Sequence, residues 1–293
     1  MQMKKPLVTL LIFTVFLFFC PLSYSQNTFE KGLLWKVSGN GLDESSYIFG
    51  TLHMICPDDF FIFPGTYESL AQSNRLVLEL NLSDPLIAAG IQASMLMGDH
   101  AELNKILPQQ DLLVIQSFFR DSIGMEMEFI SRIQPFFLAT LVYPHMLQCH
   151  PGSYEHFFLQ QANEKSMEVI GLETLEEQLH VVDALSYNEQ ADMLLEVLKN
   201  YHDKRSEFKK MLNLYLDSDL QGLYQMFQET HTRHDEFHQR LVRDRNHRWI
   251  ERIETLMMEA PSFIAVGAGH LPGEEGILQL LMDEGYDLER VLE

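Results

Sequence analysis

Along the chain, short stretches rich in apolar and β-branched residues stand apart from longer stretches with helical periodicity. The short runs at 33–38, 46–51, 75–81, 167–171, 262–267 and 286–292 read as strands. Between the third and fifth of them, apolar residues recur at three- and four-residue intervals, which predicts helices over 111–119, 136–148, 154–163, 173–185, 189–216, 220–229 and 235–259.

One small pattern occurs twice. The apolar run Tyr47-Ile48-Phe49 leads into Gly50-Thr51-Leu52-His53, and Phe263-Ile264-Ala265-Val266 leads into Gly267-Ala268-Gly269-His270. Each copy continues with a helical segment, 66–73 in the first and 274–284 in the second, and then with a strand; Gly285 supplies the second stop. A strand that ends in glycine and then presents a histidine places an imidazole at a sheet edge, where the sites of open α/β sheets lie.

The pattern therefore predicts an α/β fold, mixed with α+β character. Its central sheet is built from two β-loop-α-β units, each carrying a G-x-x-H motif, with a large helical insertion between them. Such units normally join neighbouring parallel strands through right-handed crossovers, so the two ends of the chain are expected to meet. With 293 residues, 46% of them hydrophobic, and no Pro/Ser-rich linker, residues 26–293 read as one domain with a mostly helical middle at about 100–260.

The first residues change the picture of where the chain works. Lys4 and Lys5 precede an almost wholly apolar run at 7–20, and Ser23-Tyr24-Ser25 offers small residues for cleavage, so 1–25 reads as a signal peptide. An uncleaved anchor is the alternative, although the run is shorter than the ~20 residues a spanning helix needs. Cleavage after Ser25 takes the net charge from −21 to −23. That balance repels nucleic acid and anionic membranes and favours solubility or cationic partners, while neither requiring nor forbidding self-association. The cut leaves Cys56 and Cys149, which can pair in an oxidising compartment or remain loop thiols; Cys56, three residues after His53, is also a soft metal donor.

Chemistry concentrates around the repeated histidines. A lone histidine beyond a strand is ordinarily a satisfied or surface residue, but His53 and His270 hold the same place in a repeated unit. Glu79 interrupts the apolar run Leu76-Val77-Leu78-Glu79-Leu80, where a carboxylate has to be paired, metal-bound or at the strand's open end. Glu173 follows the strand at 167–171, either as a ligand or as a helix N-terminal acid favoured by the dipole. Two imidazoles with one or two carboxylates suit Zn, Mn or Co, and imply metal-assisted hydrolysis by an activated water.

Other features of the chain stand apart from this set. His231, His234 and His238 share a helical face, yet the order His234-Asp235-Glu236-Phe237-His238 matches no H-E-x-x-H or H-x-x-E-H motif, and the cluster reads as a solvated face. Phe60-Phe61-Ile62-Phe63 reads as core packing or a covered loop, with a substrate pocket as the alternative. Arg243, Arg245 and Arg248 stand out in an acidic chain; pairing with carboxylates is the default, and Arg245 is a candidate to hold a substrate carboxylate or an oxyanion. No G-x-S-x-G elbow, G-x-G-x-x-G cradle or P-loop is present.

Taken together these residues resemble the TraB/GumN family, whose animal branch is the Tiki metalloproteases. The resemblance runs through Leu34-Trp35-Lys36-Val37, the GTLH at 50–53, Leu78-Glu79-Leu80, Arg132-Ile133-Gln134-Pro135, Gly171-Leu172-Glu173-Thr174 with Gln178, Arg245-Asn246 with Trp249, and Val266 to Leu271 continuing to Gly285-Tyr286. It implies a sheet formed by the two G-x-x-H halves around a helical middle and, in the Tiki branch, a divalent-metal-dependent peptidase. Carried onto this chain, His53 and His270 match the two motif histidines, Glu79 the strand acid and Arg245 with Asn246 the polar pair of the last long helix, and Glu155 falls where an acid is expected before the Gly-Leu-Glu strand; with the reading of the residues, His53, His270, Glu79 and Glu173 are the expected metal ligands and Glu79, Arg245 and Asn246 the expected catalytic groups.

The expectation is an exported hydrolase, most simply a peptidase, using Mn, Co or Zn, with a peptide or small molecule as substrate, no nucleic acid and no membrane insertion after cleavage. By resemblance its compartment is the periplasm of a Gram-negative bacterium. A non-catalytic envelope protein that binds or sequesters a peptide or small ligand is the competing expectation, because fold alone does not fix function.

Overall fold

A computed structural model describes residues 31–98, 100–230 and 235–291. The expected signal segment at 1–25 and His231 and His234 of the histidine cluster lie outside the described residues.

The chain opens with strands β1 (Leu34–Gly39) and β2 (Ser46–Thr51), then helix α1 (Pro64–Ala71) and strand β3 (Arg75–Leu78). A helical run follows: α2 (Pro85–Ser94), α3 (Leu103–Ile106), α4 (Gln109–Phe118), α5 (Met127–Ile130), α6 (Pro135–Leu147) and α7 (Tyr154–Glu164), leading to β4 (Glu168–Gly171). Helices α8 (Leu175–Asp183), α9 (Tyr187–Lys199), α10 (Tyr201–Leu216), α11 (Leu220–Thr230), α12 (Asp235–His238) and α13 (Asp244–Glu259) then return the chain to β5 (Ser262–Gly267), α14 (Ile277–Asp283) and β6 (Tyr286–Arg290). Among the described residues, no helix is long and apolar enough to cross a membrane.

The strands form one six-stranded mixed sheet in the order β4-β3-β5-β2-β1-β6. Strands β4, β3, β5 and β2 run parallel, while β1 is antiparallel to both β2 and β6. The chain ends do meet, through β1 and β6. The repeated units are interleaved rather than joined strand to neighbouring strand: β5 inserts between β2 and β3, and β6 crosses to the far edge beside β1. Interleaving sets the two signatures side by side, with Gly50 opposite Val266 and Thr51 opposite Gly267.

The central strands are buried on both faces, as parallel strands covered by helices must be; Ile48, Phe49, Val77, Ile264 and Ala265 are all solvent-excluded. Each such large side chain contributes about 1.5–3 kcal/mol relative to exposure. A second buried cluster, including Leu103, Phe119, Leu138, Val142 and Leu194, lies within the helical middle.

Two long predicted helices are broken. The span 189–216 divides at Asn200, whose backbone leaves helical geometry (φ −112°, ψ 30°) and closes α9 before α10 begins. The span 235–259 is interrupted over 239–243 by one wider turn with π-type spacing. That turn precedes Arg245 and sets a backbone carbonyl, that of Leu241, against its guanidinium.

Candidate functional site

The parallel strands bring their C-terminal ends to one edge, and chemistry-bearing side chains follow each of them in turn: Glu173 beyond β4, Glu79 beyond β3, His270 beyond β5 and His53 beyond β2. Gly267 lies at the middle of this row. A Cβ built there would lie 3.3 Å from Glu79 Oε1, 3.6 Å from His270 Cδ2 and 3.8 Å from His53 Nε2, so the two motif histidines and the strand acid share one small volume. Gly50 permits this close approach, since a Cβ there would stand 3.1 Å from the backbone of Ala268.

Each imidazole is held from behind. His53 donates from Nδ1 to Glu155 Oε1 at 2.8 Å, because a carboxylate offers no proton in return. The same carboxylate accepts from the Thr51 hydroxyl at 2.5 Å and the Ser153 hydroxyl at 2.6 Å. Asn246 donates its amide N–H groups to the carbonyls of His270 at 3.2 Å and Glu275 at 2.7 Å, which turns its Oδ1 toward His270 Nδ1 at 2.6 Å. Nδ1 therefore carries a proton in both rings; Nε2 of His270, facing the Arg245 N–H, keeps its lone pair, whereas Nε2 of His53 has one only when that ring is neutral.

Burial and paired charge set the charge states against one another. His270 is 6% exposed; burial lowers its pKa to about 3, with Arg245 adding to the effect against the pull of Glu79, so the ring is neutral. His53 is the open member, with 65% of its side chain exposed. Packing around the ring works against its imidazolium, but the hydrogen bond and charge of Glu155, with Glu79 behind it, outweigh this and hold its pKa above the usual histidine value. Glu155 is opposed by burial as well, yet its bonds to His53, Ser153 and Thr51 lower it to about 2.

Arg245 occupies the centre of the acidic side. Its Nη2 reaches Glu79 Oε2 and Glu173 Oε1, both at 2.5 Å, its Nε reaches Glu173 at 3.1 Å, and its Nη1 reaches the Leu241 carbonyl at 3.0 Å and His270 Nε2 at 3.3 Å. Trp249, one turn further along α13, lies under the guanidinium at 4.5 Å and donates to Glu173 Oε2 at 3.3 Å. Burial opposes the ionisation of Glu79, but Arg245 and the Gly267 N–H, 2.9 Å from Oε1, hold its carboxyl well below the usual range.

The structure thus brings His53, His270 and Glu79 together, with Asn246 behind His270. It places Glu173 elsewhere: Arg245, Trp249 and Gln178 take up its oxygens, and it faces the guanidinium rather than the imidazoles. Arg245, considered for a substrate carboxylate, has its donors committed to internal partners and a side chain only 4% exposed. Phe60, Phe61 and Phe63 are half-buried and pack on the core through Tyr154 and Tyr215. Of the neighbouring arginines, Arg243 pairs with Asp244 and Arg248 stands 4.0 Å from Glu173 Oε2.

The His53 loop is fastened to the segment that precedes α7. Ile55 and Gly152 exchange backbone hydrogen bonds, at 3.1 and 2.8 Å, and Cys56 and Cys149 form a disulfide with Cα atoms 5.8 Å apart. Together they tie the His53 loop to the segment that carries Ser153 and Glu155. Only the presence of two cysteines, the second six residues before Glu155, signalled this in the sequence.

Among the described residues, no group of three or more His, Cys, Asp or Glu side chains is arranged to hold a metal ion. The nearest approach to such a set is His53 Nε2, His270 Nε2 and Glu79 Oε1, the last two 3.9 Å apart. Both imidazoles have Nδ1 fixed on an oxygen acceptor, an arrangement that orients the ring.

The chain is 20% identical to metalloprotease TIKI2 of Danio rerio, over 92% of its own length and 62% of the relative's. It is likewise 20% identical to metalloprotease TIKI1 of Homo sapiens, over 92% of this chain and 64% of that one. It therefore spans less than two thirds of these relatives. No solved structure matches it. The model of the TraB/PrgY/gumN family matches residues 33–290, from the start of β1 to the end of β6 and across every site residue described above. The chain belongs to the TraB/PrgY/gumN family.

Proposed function

We propose that this protein is an exported divalent-metal-dependent hydrolase acting on peptide bonds. The observation that carries the reading is the convergence of His53 Nε2, His270 and Glu79 Oε1 around Gly267, with both imidazoles held at Nδ1 from behind. The naming of relatives as metalloproteases supports the reaction class.

In this reading His53, His270 and Glu79 hold the ion, with Mn, Co and Zn as the candidates. A bound divalent ion supplies a water of lowered pKa and polarises the scissile carbonyl. Glu155 and Asn246 keep the two Nε2 atoms aimed. Glu79, held ionised, suits a ligand better than a general base, whose pKa has to lie near the working pH. Arg245 fixes Glu79, and Glu173 fixes Arg245. The exposed face of His53 is where substrate enters. The Cys56–Cys149 bridge favours an oxidising compartment, and with the leader-like segment at 1–25 it supports export, to the periplasm in our reading. The acidic surface argues against nucleic acid as a partner.

The test is hydrolysis of an unstructured fluorogenic peptide pool by residues 26–293. Chelation is expected to abolish cleavage, one of Mn, Co or Zn to restore it, and His53→Ala and His270→Ala each to remove it. Full cleavage by both variants, or no cleavage under any metal with ligand still retained, would overturn the reading; the latter result would favour a binding protein.

A further inference from the structure

Arg245 is a built-in cation standing where the proposed ion would be felt most. Its Nη2 lies 2.5 Å from Glu79 Oε2, and its Nη1 points a hydrogen at His270 Nε2 from 3.3 Å. One guanidinium thus neutralises the carboxylate donor and engages the lone pair of an imidazole donor. It is also strongly anchored, by Glu173 through Nε and Nη2, by the Leu241 carbonyl and by the face of Trp249. The two carboxylates differ in what they touch. Glu173 is committed to Arg245, Trp249 and Gln178, whereas Glu79 has one oxygen on Arg245 and the other on the Gly267 N–H, facing the imidazoles.

Resting on the metal-site reading above, we propose that Arg245 is a positioning residue that competes with the divalent ion for Glu79 and His270, so that metal is held loosely and exchanges readily. The physical argument is charge. A guanidinium and a divalent cation repel one another, and an ion entering beside Glu79 gains less from a carboxylate already paired. For the ion to bind, Nη1 has to leave His270 Nε2, while the Glu173 anchor keeps the side chain in place. Glu173 is then the counter-charge that makes a buried arginine tolerable beside a cation site, rather than a ligand of that site.

The experiment is a titration of metal-free protein with Co2+ alone, followed by calorimetry and by the visible absorption of bound cobalt. Replacing Arg245 by itself would strand both Glu173 and Glu79, so the main variant is Arg245→Met with Glu173→Gln, which removes the Glu173 charge with the guanidinium and leaves Glu79 as the carboxylate open to the ion. It is expected to bind Co2+ at least about tenfold more tightly than the wild type, about 1.4 kcal/mol. Arg245→Lys, which keeps a cation for Glu173 but lacks the fork that spans Glu79 and His270, serves should the double variant fail to fold; it is expected to bind Co2+ more tightly than the wild type by about threefold or more. Equal or weaker binding by the folded double variant, or by the lysine variant where that one is used, would overturn the proposal. His53→Ala, titrated in parallel, separates the two ideas. Loss of Co2+ binding there with no gain in the Arg245 variants leaves the site standing and removes the competition; unchanged binding in His53→Ala removes both.

Discussion

Replacing Glu155 by Gln keeps the shape of the group that holds His53 but removes its charge. The carboxylate accepts from Thr51, Ser153 and His53 at 2.5 to 2.8 Å and is buried, and its pKa falls from 4.5 to about 2. A carboxylate with a depressed folded-state pKa contributes its full stabilisation above its unfolded value and loses it as the pH falls toward the folded one. The shift corresponds to roughly 3 kcal/mol, of which roughly 1.4 kcal/mol is gone by about pH 3.5. Urea unfolding of the wild type and Glu155→Gln at about pH 7 and about pH 3.5 should therefore show a gap that narrows by roughly 1–1.5 kcal/mol at the lower value. A gap of the same size at both pH values would refute the claim that the three donors hold a charged Glu155.

Three further outcomes follow from the same geometry. Replacing Cys56 and Cys149 by Ser opens a loop closed over a sequence separation of 93; loss of roughly 3–5 kcal/mol is expected in chemical unfolding, and the oxidised wild type should resist proteolysis near His53 better than the variant. Tyr215→Phe removes the hydroxyl that donates to the Gly50 carbonyl at 3.0 Å; a cost of about 1–2 kcal/mol in urea melts checks it. His270, its pKa lowered to about 3, binds protons more readily unfolded than folded, so it contributes stability above its unfolded value that is lost as the pH falls toward 3; its ring resonances should stay flat on titration from neutral pH to about pH 5.

The sheet was legible because its strands are short, apolar and closed by glycine, and for 46–51 and 262–267 the reading coincides with β2 and β5. Their adjacency was not, since sequence order suggests that β2 should pair with β3, whereas burying both faces of β5 places it between them. Helix α2 escaped notice because Pro-Leu-Ile-Ala-Ala-Gly-Ile has no polar alternation and buries none of its residues, leaving no periodic signal to find. Glu79 stood out as a carboxylate in an apolar strand, and it lies one residue beyond the strand's end, where it meets Gly267 and Arg245. The role of Glu173 was hidden in a different way. An acid before a helix looks alike whether it serves the dipole, an ion or a buried arginine, and the partner that decides among them is 72 residues away.

The central claim is that His53, His270 and Glu79 hold one divalent ion. The most direct measurement is a crystal structure of residues 26–293 soaked in Mn2+ or Co2+, with the ion located by anomalous scattering. We predict a single strong peak bonded to both Nε2 atoms and to Glu79. A peak at another cluster, or two imidazoles that bind no common ion at saturating metal, would contradict the account.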